Sequence, residues 1–257
     1  MIIPEGETSS IKPLTQEQVE KFRLLLSTYQ DGTGRDTKDR TLPGWEDFED
    51  VSEIVFEGER LKGKSAFDII VPGQNKIGIS CKMTKTLKIS KTTVLIEHSR
   101  INAEFFNALK KHNIPREKMF ESPEDCGNVL LSLVKEKNVA DAKYHEINLA
   151  SSFFLVMAYD VESRQFKLFQ FPIKMPRADK VTWSFNSSGK HLRGVIGDEI
   201  VLQWFHEGGG QLKYYPGIKK ANWISDTFTL EPIEKKLGSY LTVDKVKKYF
   251  KEKWNAL

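Results

Sequence analysis

Apolar residues recur along this chain with two periods, and each change of period marks a new element. Between Leu14 and Tyr29, Val19, Phe22, Leu25 and Leu26 fall on one helical face. Thr15 with Gln18 three positions on forms a capping pair, so a first helix is expected there. The stretch from Gln30 to Pro43 is rich in Gly, Asp, Thr and charge, and predicts a mobile loop. Trp45, Phe48, Val51 and Val55 return to helical spacing, and Gly58 ends that second helix. The period then falls to two. Ala66 to Val71 and Lys76 to Met83 predict strands, and Pro72-Gly73-Gln74-Asn75 supplies turn chemistry for an antiparallel hairpin.

The rest of the chain is plainer. Ile101, Phe105, Ala108 and Leu109 stripe a helix over Ile101 to Lys111, and Ser122-Pro123-Glu124 opens another that runs to Val134. Phe153 to Tyr159 and Phe166 to Phe171 are apolar strands joined across Asp160 to Arg164, with further strands over Trp183 to Phe185 and Glu199 to Phe205. Val243, Val246, Phe250 and Trp254 line a last amphipathic helix. Together these predict an α/β (α+β mixed) fold with a central mixed sheet flanked by helices. No linker or repeat divides the 257 residues, so one domain is expected, with its core at about 44–112 and the sheet extended by residues 113–257.

Composition narrows the class. Hydrophobic residues make up 39% and charged residues 29%, which supports a packed core and argues against a membrane-spanning segment. Met1 to Glu5 lacks the pattern of a secretory signal, and Cys81 and Cys126 are the only cysteines. A cytoplasmic protein without a disulfide framework is expected. The net charge of +4 is too mild to indicate nucleic acid by itself. Local clusters say more: Lys82, Lys85, Lys88 and Lys91 recur every third residue, and Lys245, Lys247, Lys248, Lys251 and Lys253 crowd the C-terminal segment. A single such run is ordinarily a solvated face.

The chemistry concentrates between Gly44 and Lys82. Asp68 interrupts the apolar run Phe67 to Val71, and a charge inside a strand is costly unless it is paired or ligates metal. Ser80 and Lys82, two apart on the second strand, project from one face, while Cys81 turns to the other. Glu49 approaches from the helix. Carboxylates with a nearby lysine suit phosphodiester hydrolysis assisted by a hard cation. Cys81 as a nucleophile with His98 has nothing to bring the pair together. The histidines show no metal-ligand spacing, and Gly208-Gly209-Gly210, without a following Gly-Lys-Ser/Thr, is a turn rather than a nucleotide loop.

Gly44-Trp45-Glu46-Asp47-Phe48-Glu49, then Asp68, then Ser80-Cys81-Lys82, resembles the PD-(D/E)-x-K nuclease core of many type II restriction endonucleases. The resemblance covers under a fifth of the chain. It implies a restriction-endonuclease-like core, with Asp68 as the first metal ligand, the Cys81 carbonyl as another and Lys82 as the catalytic lysine. Glu49 matches the helical glutamate of many members. Two positions depart from the pattern: Phe67 stands where proline is common, and Ser80 stands at the second acidic position. In some restriction enzymes a later helix supplies that carboxylate, and Glu97 is the candidate here. The implied activity is Mg²⁺-dependent, sequence-specific cleavage of double-stranded DNA by a homodimer. DNA contacts are expected from Lys85, Lys88 and Lys91, from Lys190, His191 and Arg193 in a basic loop, and from Lys213, Lys219 and Lys220. The competing readings are a non-catalytic nucleic-acid-binding or regulatory protein, and a repair or phage nuclease on the same core.

Overall fold

A computed structural model describes residues 11–30, 35–37, 40–63, 65–85, 93–205, 210–233 and 243–257. Its helices are α1 (Gln16–Ser27), α2 (Trp45–Phe56), α3 (Asn102–Lys111), α4 (Pro123–Tyr144), α5 (Val243–Tyr249) and α6 (Lys251–Asn255). Strands β1 (Arg35–Thr37), β2 (Arg40–Leu42), β3 (Glu59–Arg60), β4 (Ile69–Val71), β5 (Ile77–Lys85) and β6 (Ile96–Arg100) precede α3 and α4. Strands β7 (Phe153–Tyr159), β8 (Gln165–Pro172), β9 (Thr182–Phe185), β10 (His191–Ile196) and β11 (Glu199–Phe205) follow, then β12 (Gln211–Tyr214), β13 (Trp223–Ile224) and β14 (Phe228–Thr229). The class is α+β, with one mixed sheet and one antiparallel sheet.

The chain divides into two compact units, the first from residues 1–91, 146–172 and 220–257 and the second from 92–145 and 173–219. The expected core at 44–112 is therefore shared out, because β6 and α3 belong to the second unit. Strands β7 and β8 do extend the first sheet, whereas β9 to β12 build a separate one.

The first unit carries the mixed sheet, in the order β13-β8-β7-β5-β4-β3, with β14 also on β8. Among the described strands of this sheet, β5 and β7 are the parallel pair, and the chain enters the second unit between them. One face of the sheet presents Ile69, Ile79, Cys81, Leu155 and Met157 to a core completed by Phe22, Leu25, Phe48 and Val51 of α1 and α2. Burying each such side chain is worth about 1.5–3 kcal/mol. The Thr15 hydroxyl accepts from the Gln18 N–H, and the Gln18 side chain returns the bond to Thr15, as the capping pair requires. Helix α2 keeps its expected bounds, but Trp45 is 47% exposed and lies off the buried stripe. Glu57 closes the helix in the left-handed region at φ 51°.

Several elements depart from expectation. The segment expected to be a loop contains the hairpin β1-β2. Helix α4 continues ten residues past Val134, because no glycine or proline halts it and Asn138 and Ala142 remain buried. The C-terminal helix breaks at Phe250 into α5 and α6, with Val246 and Phe250 keeping the buried positions. His191 and Arg193 lie on β10 rather than in a loop, and within Lys213 to Trp223 the chain forms β12, a 3-10 turn and β13. Lys88, Lys91, Gly208 and Gly209 lie outside the described residues. Among the described residues, no helix is long and apolar enough to cross a membrane.

The second unit stacks α3 and α4 on an antiparallel sheet ordered β6-β12-β11-β10-β9. Trp204, Leu192, Leu212 and Trp183 face the helices, and the Phe105 ring meets Trp204 edge-on at 4.6 Å. Gly127 on α4 sits directly against Trp183, where an added Cβ would come within 2.0 Å of the indole. Alanine would gain about 1 kcal/mol in helix propensity. Overpacking of a filled site costs about 1–3 kcal/mol and wins. Gly127→Ala is expected to lower the melting temperature followed by circular dichroism; an equal or higher one would show that the indole relocates freely.

Candidate active site

Asp68 enters the first sheet immediately before β4. Its N–H donates to Ile79 O at 2.9 Å and its carbonyl accepts from Leu61 N at 2.8 Å, so the main chain is held on both sides. Ile69 pairs with Ile79 and Ile70 with Gly78, and Asp68, just before the strand, is tied to β5 through its N–H on Ile79 O. Alternation then places Asp68, Ser80 and Lys82 on one face and turns Ile69, Ile79 and Cys81 into the core. This is the grouping expected from the hairpin.

Three donors converge on one carboxylate oxygen. Asp68 Oδ2 accepts from Cys81 N at 2.7 Å, from Lys82 Nζ at 3.1 Å and from Ser80 Oγ at 3.3 Å. Lys82 Nζ also donates to Cys81 O at 2.8 Å. Two oxygens, one side-chain and one main-chain, thus gather around a single cationic group. The side chains of Asp68 and Lys82 keep 23% and 20% of their surface, while Ser80 keeps 1%. A ligand can therefore reach the carboxylate and the ammonium, but not the serine.

Glu49 projects from α2 into the same electrostatic neighbourhood. Its carboxyl is pushed above the ordinary value, by burial first and by the Asp68 charge next, with Arg60 and Lys82 opposing. The Arg60 guanidinium holds Glu49 with one nitrogen and Asp50 with another, and its N–H donates to Glu53 Oε1 at 3.2 Å. Sequence reasoning missed Arg60. The signal available was β3 itself, a two-residue strand whose pairing with β4 brings an arginine beside the acidic face of α2.

Glu97 belongs to the second unit. On β6 it pairs with Lys213 Nζ at 3.0 Å and accepts from Gln211 Nε2 at 3.3 Å. The expected DNA-contacting residues separate in the same way. His191, Arg193 and Lys213 lie on the second unit's sheet, whereas Lys85 ends β5 of the first unit, exposed. Lys190 lies in the turn before β10, and Lys219 and Lys220 close a 3-10 turn; all three are exposed.

Among the described residues, no group of three or more His, Cys, Asp and Glu side chains forms a ligand set. The oxygens available are the Asp68 carboxylate, the Cys81 carbonyl that Lys82 contacts and, within electrostatic reach of them, the Glu49 carboxylate. These are hard oxygens suited in type to Mg²⁺, which retains several waters and needs few protein ligands. A cation would also relieve the repulsion that raises Glu49. Comparison with protein-family models, with curated proteins and with solved structures returned no match.

Thiol chemistry is disfavoured at this site. Burial, with Asp68 adding to it, pushes the Cys81 thiol well up, and burial with Asp125 pushes Cys126 up to about 11. A disulfide reagent at mildly alkaline pH is expected to label neither cysteine in the folded chain and both after denaturation. Rapid labelling of one native thiol would show an accessible thiolate.

Proposed function

We propose that this chain is a Mg²⁺-dependent endodeoxyribonuclease that hydrolyses phosphodiester bonds in double-stranded DNA at a specific sequence, in the manner of a type II restriction enzyme. The observation that carries the reading is the convergence of Lys82, the Cys81 main chain and Ser80 on the Asp68 carboxylate, with Glu49 coupled to the same charges. Asp68, Glu49 and the Cys81 carbonyl would hold the cation. When bound, a hard divalent cation neutralises charge on the scissile phosphate and makes water a better nucleophile.

The chain's own groups supply the rest. The Lys82 ammonium, fixed between two oxygens, is aimed where negative charge grows on the phosphate, and it orients the attacking water. Ser80, buried and hydrogen-bonded, holds the Asp68 carboxylate in its rotamer. The Cys81 N–H, 2.7 Å from the same oxygen, fixes that carboxylate from the main chain. A two-fold symmetric duplex site invites a homodimer. Arg60 favours a competing reading, because it already occupies Glu49 and Asp50 as a structural ion-pair network would, in a non-catalytic nucleic-acid-binding or regulatory protein.

Digestion of a mixed-sequence plasmid with purified protein and Mg²⁺ separates the readings: discrete fragments support restriction, a smear supports a nuclease of another role, and intact plasmid supports the competing reading. In the same assay Lys82→Ala is expected to lose cleavage by at least about a hundredfold while its melting temperature is retained. Glu49→Gln is expected to cut slowly and to require more Mg²⁺, and Glu97→Gln to cut close to the wild-type rate. The reverse pattern, with Glu97→Gln inactive and Glu49→Gln normal, would move the second carboxylate to β6.

A further inference from the structure

We propose that the polar face of the second unit's sheet binds single-stranded nucleic acid, with bases stacking on Phe205 and His191 and with Arg193 and Lys213 holding the strand. This goes beyond the nuclease reading and does not depend on it.

The register defines the face. Lys213, Gln203, Arg193 and Ser184 pair in one row across β12, β11, β10 and β9. In the row beside it Gln211, Phe205 and His191 are partners on β12, β11 and β10. The intervening row, Leu212, Trp204 and Leu192, is fully buried on the side that α3 and α4 cover. The polar rows therefore point away from the helices. Phe205, His191, Gln203, Arg193 and Lys213 are all partly exposed.

The chemistry of this face is aromatic, cationic and amide together. The rings of Phe205 and His191, on adjacent strands, lie with centroids 4.4 Å apart. Lys213 Nζ stands 4.7 Å from the Phe205 centroid, and Gln203 Nε2 lies 3.1 Å from His191 Nδ1. Adjacent-strand aromatics flanked by cations on an open antiparallel sheet are what a single strand requires: rings for base faces, cations for phosphates and amides for base edges. An exposed cation–ring contact is worth about 0.5–1 kcal/mol, whereas a base stacked on an aromatic side chain is worth about 1–3 kcal/mol. A base therefore displaces the ammonium from the Phe205 face, and Lys213, which also pairs with Glu97 at 3.0 Å, can exchange that carboxylate for a phosphate.

A second feature also points to a ligand. Arg193 Nε is buried with no hydrogen-bond partner. Leaving a buried donor unpaired is costly, so Arg193, whose side chain is partly exposed, gains an acceptor when a bound phosphate draws the guanidinium outward. Stacking selects a single strand over a duplex. A duplex keeps its bases stacked on one another, whereas a single strand offers free base faces to the Phe205 and His191 rings.

The test is fluorescence anisotropy on the full chain, in chelator to prevent cleavage, with labelled single-stranded DNA, RNA of the same sequence and the DNA duplex. Saturable binding of a single strand is expected, not competed by the duplex at equal concentration, and preference between DNA and RNA identifies which strand is taken. Phe205→Leu keeps an apolar side chain without a stacking face and is expected to weaken binding about tenfold. Phe205→Trp should restore it. Arg193→Ala should also weaken binding, while Lys143→Ala on α4 should not, with melting temperatures recorded for each variant. The proposal is overturned if single strands do not bind, if Phe205→Leu weakens duplex binding as much as single-strand binding, or if well-folded Phe205→Leu and Arg193→Ala both bind single strands like the wild type.

Discussion

A carboxylate placed at the head of an apolar strand constrains everything around it. Asp68 has to be compensated where it stands, and its compensation comes from the neighbouring strand: the Cys81 N–H, the Lys82 ammonium and the Ser80 hydroxyl. That arrangement exists in only one register of β4 on β5. A slip of one residue would turn Cys81 and Ile79 away from Phe48 and Val51 and carry Ser80 and Lys82 into the core. The cost of an uncompensated charge and the cost of exposing the core therefore enforce the same pairing. Gly78 belongs to this constraint, since a Cβ there would strike the Phe67 ring at 2.4 Å and disturb the residue preceding Asp68.

Helix α2 links that strand pair to a second set of charges. Its buried stripe of Phe48, Val51 and Val55 docks on the sheet, which leaves Glu49, Asp50 and Glu53 along the flank nearest β3. Arg60 reaches all three from β3, through two side-chain nitrogens and its own N–H. The carboxylates of Glu49 and Asp68 are thus held near one another, each with a cation of the chain beside it. An external cation taking the place of either internal one would keep the pair's charge compensated, which is the feature the metal proposal rests on.

Much of this neighbourhood was legible in the sequence because its signals are local. Thr15 with Gln18, the spacing of Phe48, Val51 and Val55, the turn after Val71 and the alternation of Ser80, Cys81 and Lys82 each depend on a few adjacent residues. What stayed hidden depends on long-range contact. The strands Arg35–Thr37 and Arg40–Leu42 are too polar to show a period. The extension of α4 past Val134 was hidden because its last turns carry no apolar stripe, with burial confined to Asn138 and Ala142. The division into two units is invisible to a linker search because each unit is assembled from separated segments. Arg60 escaped because its partners lie on a different element.

The serine at position 80 and the glutamate on α2 are better understood together than apart. Ser80 keeps 1% of its surface, and its hydroxyl is 3.3 Å from Asp68 Oδ2. A carboxylate in that place would set two like charges against each other in a poorly hydrated position, and one of them would be driven toward its protonated form. Serine instead donates a hydrogen bond to the aspartate and adds no charge. Glu49 brings the second carboxylate from a helix, where Arg60 offsets part of the repulsion that burial and Asp68 impose on it. Position 80 thus contributes a neutral donor, while the fold carries an acidic residue from α2 to the same field of charges. The hairpin and α2 form one electrostatic unit, in which Lys82 balances Asp68 and Arg60 balances Glu49.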